Sequence, residues 1–402
     1  GSTATAQHIR RAMAEHCAPG TVLIAETGGL NAMIVDSTAL PEQAVQSVIE
    51  SAFQSAGQRC SALRCLYVQE DIAEDFTKML VGAMETLHLG NPWHLSTDIG
   101  PVIDSTAKKS ITDHIAAAQA QGRVLASLSA PEKGTFIPPA LISVRGISDL
   151  EREVFGPVLH LATFKANELD QVIEEINATG YGLTFGLHTR IDDRVQYVAE
   201  RIHAGNVYIN RNQIGAIVGS QPFGGEGLSG TGPKAGGPNY LPRFAQVDRI
   251  TVNGPAGESI ESLPALPAPS TSVSATLSLP GPTGESNRLS TISRPALLCM
   301  GPGPDTTARQ ARAVRALGGC AVEARGQVDP AALTDGPGYG GVMWWGDAAT
   351  ARTIEQALSR RAGPIIPMIP GLPDTAHVLA ERHVCVDTTA SGGNAALLGA
   401  SS

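Results

Sequence analysis

Cys60 has the sequence surroundings that a catalytic nucleophile needs. It lies in Gly57-Gln58-Arg59-Cys60-Ser61, where small neighbours allow a substrate to approach the thiol and Arg59 adds positive charge. Cysteine nucleophiles react as thiolates, which an accessible, electropositive setting and nearby main-chain N–H groups stabilise. A single cysteine is more often a small buried hydrophobe, so further motifs must decide between these two roles.

Glu26 is the candidate base. It lies upstream of Cys60 and directly before Thr27, Gly28 and Gly29. A carboxylate that borders a tight glycine turn can remove a proton from water. The alternative is an ordinary exposed carboxylate in a turn.

The composition excludes several classes of protein. The 402 residues carry a formal net charge of −9, with 42% hydrophobic and 17% charged residues and no basic stripe. This argues against nucleic acid or an anionic membrane as a partner. Six cysteines without C-x-x-C pairs or histidines at ligand spacing predict neither a disulfide framework nor a metal site. Without a secretory signal or an apolar run of membrane-spanning length, a cytoplasmic location is expected.

Alternating strand and helix patterns position these residues. Strands are predicted at residues 21–25, 31–35, 62–68, 158–163, 183–189 and 207–210, and helices at 41–55, 72–87, 105–121, 169–177 and 194–203. This alternation predicts an α/β fold with a largely parallel sheet. The glycine-rich segment 213–238 lacks periodicity and predicts a long, ordered and functional loop.

The C-terminal third predicts a second α/β unit. Residues 254–282 are rich in Pro, Ser, Ala and Gly, which is typical of a linker or an extended surface strap. Strands at 296–300, 321–324 and 341–345 and helices at 305–317 and 348–360 follow. The run Gly301-Pro302-Gly303-Pro304 is similar to half of a dinucleotide fingerprint, but prolines replace residues that should let a helix N-terminus meet a pyrophosphate. A Rossmann-like module that binds no dinucleotide is therefore predicted.

Four motifs together resemble the aldehyde dehydrogenase superfamily over roughly residues 1–250. They are Glu26-Thr27-Gly28-Gly29, Gly57-Gln58-Arg59-Cys60, Glu153-Val154-Phe155-Gly156-Pro157 and Pro222-Phe223-Gly224-Gly225. Ser61 and the segments 215–223 and 229–238 are similar to the L-glutamate γ-semialdehyde (pyrroline-5-carboxylate) dehydrogenase branch. The C-terminal module and residues 385–394 resemble the long form of the bifunctional proline utilization A (PutA) family.

The resemblance implies a fold and a set of boundaries. It implies an aldehyde dehydrogenase catalytic domain, rich in parallel sheet, followed by a Rossmann-like C-terminal domain. The expected segments are the end of an NAD-binding domain (1–28), the catalytic domain (29–212), a substrate-anchoring loop and return (213–253), a linker (254–285), the Rossmann-like domain (286–381) and a docking tail (382–402). The implied reaction is NAD-dependent oxidation of L-glutamate γ-semialdehyde to L-glutamate in proline catabolism.

The resemblance also assigns roles to individual residues. Cys60 would be the nucleophile and Glu26 the base that activates water. NAD would contact the residues Gly1, Ser2, Gly28, Glu153 and Phe155, and the substrate would contact Ser61, Gly215, Ala216 and Phe223. Alternatives remain for Gly1 and Ser2, which could be a cloning remnant, for the Gly215 segment, a plain glycine-rich turn, and for Phe223, a core aromatic. Lys234 is expected to be solvated, and His160 and His188 to be structural.

The partners implied lie largely outside this sequence. We expect an N-terminal proline dehydrogenase with FAD and most of the NAD-binding domain, including the asparagine that donates to the oxyanion, to precede Gly1. The C-terminal module and the tail are expected to shield the aldehyde site and a passage for the intermediate. Whether the chain forms a homodimer through its sheet or uses its tail internally stays open. Two alternatives also stay open: a dehydrogenase for another aldehyde, and a catalytically incomplete lid or interaction fragment.

Overall fold

The structure is a computed structural model that describes residues 1–245, 248–254, 259–260, 263–268, 273–324 and 327–389. Its α-helices in this part of the chain are α1 (Thr3–His16), α2 (Pro41–Phe53), α3 (Glu70–Glu85), α4 (Ser105–Ala120), α5 (Leu169–Ala178), α6 (Asp192–Arg201), α7 (Gly303–Ala316), α8 (Ala348–Arg360) and α9 (Thr375–Val378). Its strands are β1 (Ala32–Val35), β2 (Cys65–Gln69), β3 (Val124–Ser127), β4 (Ala140–Ser143), β5 (Val158–Phe164), β6 (Tyr181–Gly182), β7 (Thr184–His188), β8 (Asn206–Ile209), β9 (Glu226–Gly227), β10 (Ser259–Ile260), β11 (Val273–Leu279), β12 (Glu285–Ser293), β13 (Leu297–Cys299), β14 (Ala321–Glu323), β15 (Gln327–Val328), β16 (Gly341–Met343), β17 (Met368–Ile369) and β18 (Leu379–Asp387).

The chain divides into two compact units that are both discontinuous in sequence. The Cys60 unit comprises Gly28–Gln221, Ser278–Arg288 and His383–Ser402. The Glu26 unit comprises Gly1–Thr27, Pro222–Leu277 and Leu289–Arg382. No helix in the described ranges is long and apolar enough to cross a membrane.

A mostly parallel sheet forms the centre of the Cys60 unit. Its strands run in the order β8-β7-β1-β2-β5-β4-β3, and only the β3–β4 pairing at the end is antiparallel. Strands β1 and β2 are buried along their whole length, because helices such as α2 and α3 pack on the sheet. Parallel strands covered on both faces are continuously apolar, which explains why the sequence patterns predicted them well.

The same sheet continues beyond β8 with the start of the chain's tail. Residues 383–386 of β18 pair in parallel with β8, so that Cys385 lies opposite Tyr208. The predicted linker is also partly ordered as strand, since it contains all of β11. Of the predicted tail, residues 390–402 lie outside the described residues.

The Glu26 unit contains the second α/β layer. Its four-stranded parallel sheet has the order β14-β13-β16-β17, with Leu298, Val342 and Met343 fully buried. The chain leaves β13 for β14 on one side and then crosses to β16 on the other, which is the doubly wound arrangement. The predicted Rossmann-like topology is confirmed. The strand predicted at residues 21–25 is wrong: this segment forms no strand, and the residue after it, Glu26, makes an isolated bridge to Gly230.

Candidate active site

Cys60 is exposed at a sharp turn that follows helix α2. Ser55, Ala56 and Gly57 adopt consecutive left-handed conformations with φ of 57°, 54° and 65°. This region strains Ser and Ala, and such strain concentrates at functional sites. Gly57 is required there for a further reason, because a Cβ at this position would lie 2.1 Å from the Gly156 carbonyl oxygen. The turn is therefore tightly packed at Gly57, whereas Cys60, three residues later, is exposed.

Two buried side chains fix the main chain of this loop. The Asn31 amide donates to the carbonyl oxygens of Cys60 (2.7 Å) and Ala62 (2.9 Å). The Arg64 guanidinium donates to the carbonyl oxygens of Gly57 (2.8 Å) and Arg59 (3.1 Å). Main-chain carbonyl groups before and after Cys60 are thus fixed by hydrogen bonds from Asn31 and Arg64. These contacts preorganise the main chain on both sides of Cys60.

Arg64 also connects this loop to Glu153. Its Nη2 and Nε donate to Glu153 Oε1 at 3.0 and 3.3 Å, and the Arg64 side chain is only 1% exposed. Burial raises the pKa of Glu153, and the Arg64 cation opposes that shift. The Gly29 N–H also stabilises the carboxylate. Both Arg64 bonds end on Oε1, so Oε2 keeps acceptor capacity.

 
Two further predicted cofactor residues lie near Glu153 and Arg64. A Cβ on Gly28 would lie 1.8 Å from Glu153 Oε2, so only glycine fits against the carboxylate in this position. The Phe155 ring is 44% exposed, and the guanidinium carbon of Arg64 lies 5.3 Å from its centroid. Glu153, Gly28 and Phe155 therefore form one cluster around Arg64. Nearby Glu151 is exposed.

Glu26 lies in an irregular, half-buried segment of its own unit. The Thr27 N–H donates to the Ser229 carbonyl, and the Thr231 N–H donates to the Ala25 carbonyl. Burial raises the pKa of Glu26 from 4.5 to about 7, although the Lys234 cation opposes the shift. Among the described residues, its buried Oε1 has no hydrogen-bond partner. A carboxyl group with such a pKa and a free oxygen can accept a proton near neutral pH.

Lys234 differs from its prediction as a solvated residue. It is 2% exposed, and its ammonium donates to the Gly224 carbonyl oxygen. Burial lowers its pKa to about 8, against the pull of nearby carboxylates that include Glu26. By contrast, His160 and His188 are 2% and 1% exposed, as expected for structural histidines.

The predicted substrate residues fall in different places. Ser61 is buried, and its carbonyl oxygen accepts from Thr184 Oγ1 (3.2 Å) and Gln213 Nε2 (3.3 Å). Gly215 has a φ of +70° and is exposed beside half-buried Ala216. Their main-chain N–H groups have no partner within the described ranges, which leaves both as available donors. The glycine is explained by its positive φ, since a Cβ there would meet nothing within 4 Å.

The remaining predicted residues belong to the Glu26 unit. Phe223 is half-buried, and its main chain pairs with Ala235 in a short antiparallel bridge. Ser2 is the N-cap of α1, where its hydroxyl oxygen accepts from the Thr5 N–H at 3.1 Å. The Gly1 amino group donates to the Glu26 carbonyl oxygen at 2.8 Å.

Asn31 and Arg64 were missed by the sequence analysis. Each had a signal: Arg64 is a charged residue directly before the apolar strand β2, and Asn31 directly precedes the apolar strand β1. A polar side chain next to a buried run must find partners, because burying it unsatisfied is costly.

Sequence comparisons place these features among known proteins. The chain is 42% identical over 440 residues to the bifunctional protein PutA of Salmonella typhimurium, which covers 94% of this chain and 33% of that protein. It is 39% identical over 222 residues to a 1-pyrroline-5-carboxylate dehydrogenase of Bacillus cereus, with 54% of this chain and 43% of that protein covered. The chain thus spans about a third of the length of the PutA relatives that it matches.

Solved structures agree with the sequence comparisons. A crystal structure of a Bradyrhizobium japonicum proline utilization A mutant matches 61% of this chain and 25% of its own, with 52% identity and a TM-score of 0.60. A Thermus 1-pyrroline-5-carboxylate dehydrogenase with bound NAD matches 61% of this chain and 48% of its own, with 33% identity and a TM-score of 0.56. The sequence model of the aldehyde dehydrogenase family matches residues 1–250, well over half of the chain. The chain therefore belongs to the aldehyde dehydrogenase family.

Proposed function

We propose that this chain carries out the NAD-dependent oxidation of L-glutamate γ-semialdehyde to L-glutamate, the second step of proline catabolism. The observation that carries the proposal is the exposed Cys60 thiol on a loop whose carbonyl groups are fixed by Asn31 and Arg64. The names and identities of the PutA and 1-pyrroline-5-carboxylate dehydrogenase relatives support this choice of substrate.

Cys60 begins the reaction as the nucleophile. Its thiolate adds to the aldehyde carbon, a C–S bond forms, and the carbonyl electrons move onto the oxygen. The main-chain N–H of Cys60 donates to this oxyanion. A bound nicotinamide cofactor would supply the hydride acceptor for the thiohemiacetal carbon. The carbonyl group then re-forms, which leaves the oxidised substrate as a thioester on Cys60.

Glu26 completes the reaction as the base. It removes a proton from water, whose oxygen adds to the thioester carbon. The C–S bond then breaks, the thiolate of Cys60 is restored and glutamate leaves. A pKa of about 7 suits this step, because the carboxylate is basic enough to take the proton and yet is ionised in a useful fraction near neutral pH.

The residues present fit the nicotinamide cofactor. Glu153 retains acceptor capacity for ribose hydroxyl groups, and the half-exposed Phe155 ring offers an apolar face beside it. Gly28 keeps the space against that carboxylate clear of a side chain. The N-terminus of α1, at Gly1 and Ser2, would favour a phosphate group.

The substrate carries an α-carboxylate as well as an aldehyde. In the proposal its donors are the Ser61 hydroxyl and the N–H groups of Gly215 and Ala216, which have no partner in the described part of the chain. Phe223 packs against the aliphatic portion. In a longer parent protein, an FAD-dependent proline dehydrogenase would supply the precursor of this aldehyde through a shielded passage.

The test is NADH formation in the intact parent enzyme with Cys60→Ala and, as a matched control, Cys17→Ala, since Cys17 lies in the other unit. We expect the first variant to lose turnover and the second to keep it. Retained turnover in Cys60→Ala would rule out the nucleophile. Wild-type enzyme should also prefer glutamate semialdehyde to succinate semialdehyde and to simple alkyl aldehydes. The absence of this preference would favour a different aldehyde as the substrate.

A further inference from the structure

A cavity of about 530 Å³ lies in the Rossmann-like part of the Glu26 unit. Met300, Ala324 and Trp344 line it, and each directly follows the carboxyl end of a parallel strand, β13, β14 and β16 respectively. Open parallel sheets bind ligands in the crevice at these strand ends, where the chain changes direction across the sheet. The volume is typical of small-molecule sites. Position and size together indicate a ligand-binding site within the Glu26 unit.

The three threonine hydroxyl groups in the lining already donate their protons within the protein. Thr307 donates to the Gly303 carbonyl (2.8 Å), Thr350 to the Asp347 carboxylate (2.8 Å) and Thr353 to the Ala349 carbonyl (3.1 Å). A hydroxyl group has one proton, so these oxygens can only accept from a ligand. The three threonine oxygens therefore suit a molecule that brings its own O–H or N–H donors.

The start of helix α7 has fewer main-chain donors for an anion than a helix without prolines there. Pro302 and Pro304 lie in the lining and lack the main-chain N–H that would bind a phosphate. Asp347 also lines the cavity, and its bonds from Thr350 lower the pKa of its carboxyl group and keep it charged. A ligand phosphate would meet this negative charge. The described lining thus disfavours a nucleotide.

Trp344 provides the flat apolar surface. Its indole N–H is used by the Asp347 carbonyl oxygen at 3.0 Å, so the ring can offer a ligand only its faces and edges. Val328 and Met300 are buried beside it in the same core cluster. A planar heterocycle gains stability by stacking on such a ring.

We propose that this cavity binds an uncharged nucleoside, with its base on Trp344 and its ribose hydroxyls donating to the threonine and Asp347 oxygens, and that it rejects the corresponding nucleotide. The proposal stands on the cavity alone and is independent of the function proposed for Cys60. It also gives the Rossmann-like module a role that does not require a dinucleotide.

Calorimetric titration of the full chain with the four common ribonucleosides and their 5′-monophosphates tests the proposal. We expect at least one nucleoside to bind with a Kd below about 1 mM, and its monophosphate to bind at least about fivefold more weakly because of the Asp347 charge. If no nucleoside binds at this level, or if the monophosphate binds as tightly, the proposal is wrong.

Variants locate the binding. Trp344→Ala should weaken it about tenfold, whereas Trp344→Phe retains a ring and should keep most of it. Trp93→Ala is the matched control, because Trp93 is 92% exposed and lies in the Cys60 unit. Asp347→Asn preserves the cap of α8 and should narrow the gap between nucleoside and monophosphate. Unchanged binding in Trp344→Ala, or an equal loss in Trp93→Ala, would contradict the assigned site.

Discussion

Glu153 and Glu26 are two carboxyl groups withdrawn from water in different units of the molecule. Burial raises the pKa of both. Glu153 is compensated by the Arg64 guanidinium at 3.0 Å, which holds it in one position. Glu26 has one oxygen without a hydrogen-bond partner in the described structure, and its pKa reaches about 7. The same side chain therefore suits positioning where its charge is satisfied and proton transfer where it is not.

The largest expected effect comes from Glu26→Gln. We expect turnover in the intact enzyme to fall by about 10²–10⁴-fold, because the amide cannot take a proton from water. The first NADH per site should still form in a burst, since thioester formation does not need this base. Rapid-mixing NADH absorbance measures both phases. Glu151→Gln, an exposed neighbour of Glu153, is the control and should keep full turnover.

Arg64→Met tests how much the pairing of Glu153 with Arg64 stabilises the protein. It leaves Glu153 without its cation and two loop carbonyls without their donor, so we expect a loss of about 3–5 kcal/mol in the free energy of unfolding. Arg145→Met removes an ion pair to Asp149 in which the arginine side chain is 91% exposed, and should lower the free energy of unfolding far less. Urea denaturation measures both. Equal losses of unfolding free energy in the two variants would show that Arg64 contributes no more to stability than an exposed ion pair does.

Sequence patterns predicted the strands of the Cys60 unit and singled out Cys60, but they did not predict the side chains that fix the Cys60 loop. Continuous apolar runs identify β1 and β2, whereas the use of Arg64 depends on carbonyl groups that only the folded turn brings near. Burial of Lys234 was mispredicted because a segment rich in Gly and Pro has no periodicity to indicate which side faces inward. Residues 21–25 are largely apolar, as in a strand. Their main chain nevertheless makes isolated hydrogen bonds, such as that from the Thr231 N–H to the Ala25 carbonyl oxygen, and not the regular series that joins neighbouring strands.

Alanine substitutions at two glycines, one beside each carboxyl group, compare how rigidly Glu153 and Glu26 are held, and we expect them to lower the stability less than Arg64→Met. A Cβ on Gly28 would lie 1.8 Å from Glu153 Oε2, and that carboxylate is pinned by Arg64. A Cβ on Gly224 would lie 3.5 Å from Glu26 Oε1 and 3.2 Å from the Lys234 Cα. We expect Gly28→Ala to cost about 1–3 kcal/mol and Gly224→Ala less. If thermal and urea unfolding give the reverse order, Glu153 is not held as rigidly as its contacts indicate.

The last effect is the pH dependence of stability that Glu26 contributes. Its pKa is about 7 in the folded protein and 4.5 as the unperturbed value, so the folded state binds more protons between these limits. Stability from this group is therefore complete below about pH 4.5 and is lost as the pH rises through about 7. Glu26→Gln cannot ionise, so its unfolding free energy should decline less than that of the wild type across this window. Parallel curves for the two proteins would mean that Glu26 is ionised like an exposed carboxylate, and the contrast with Glu153 would then rest on the Arg64 contact alone.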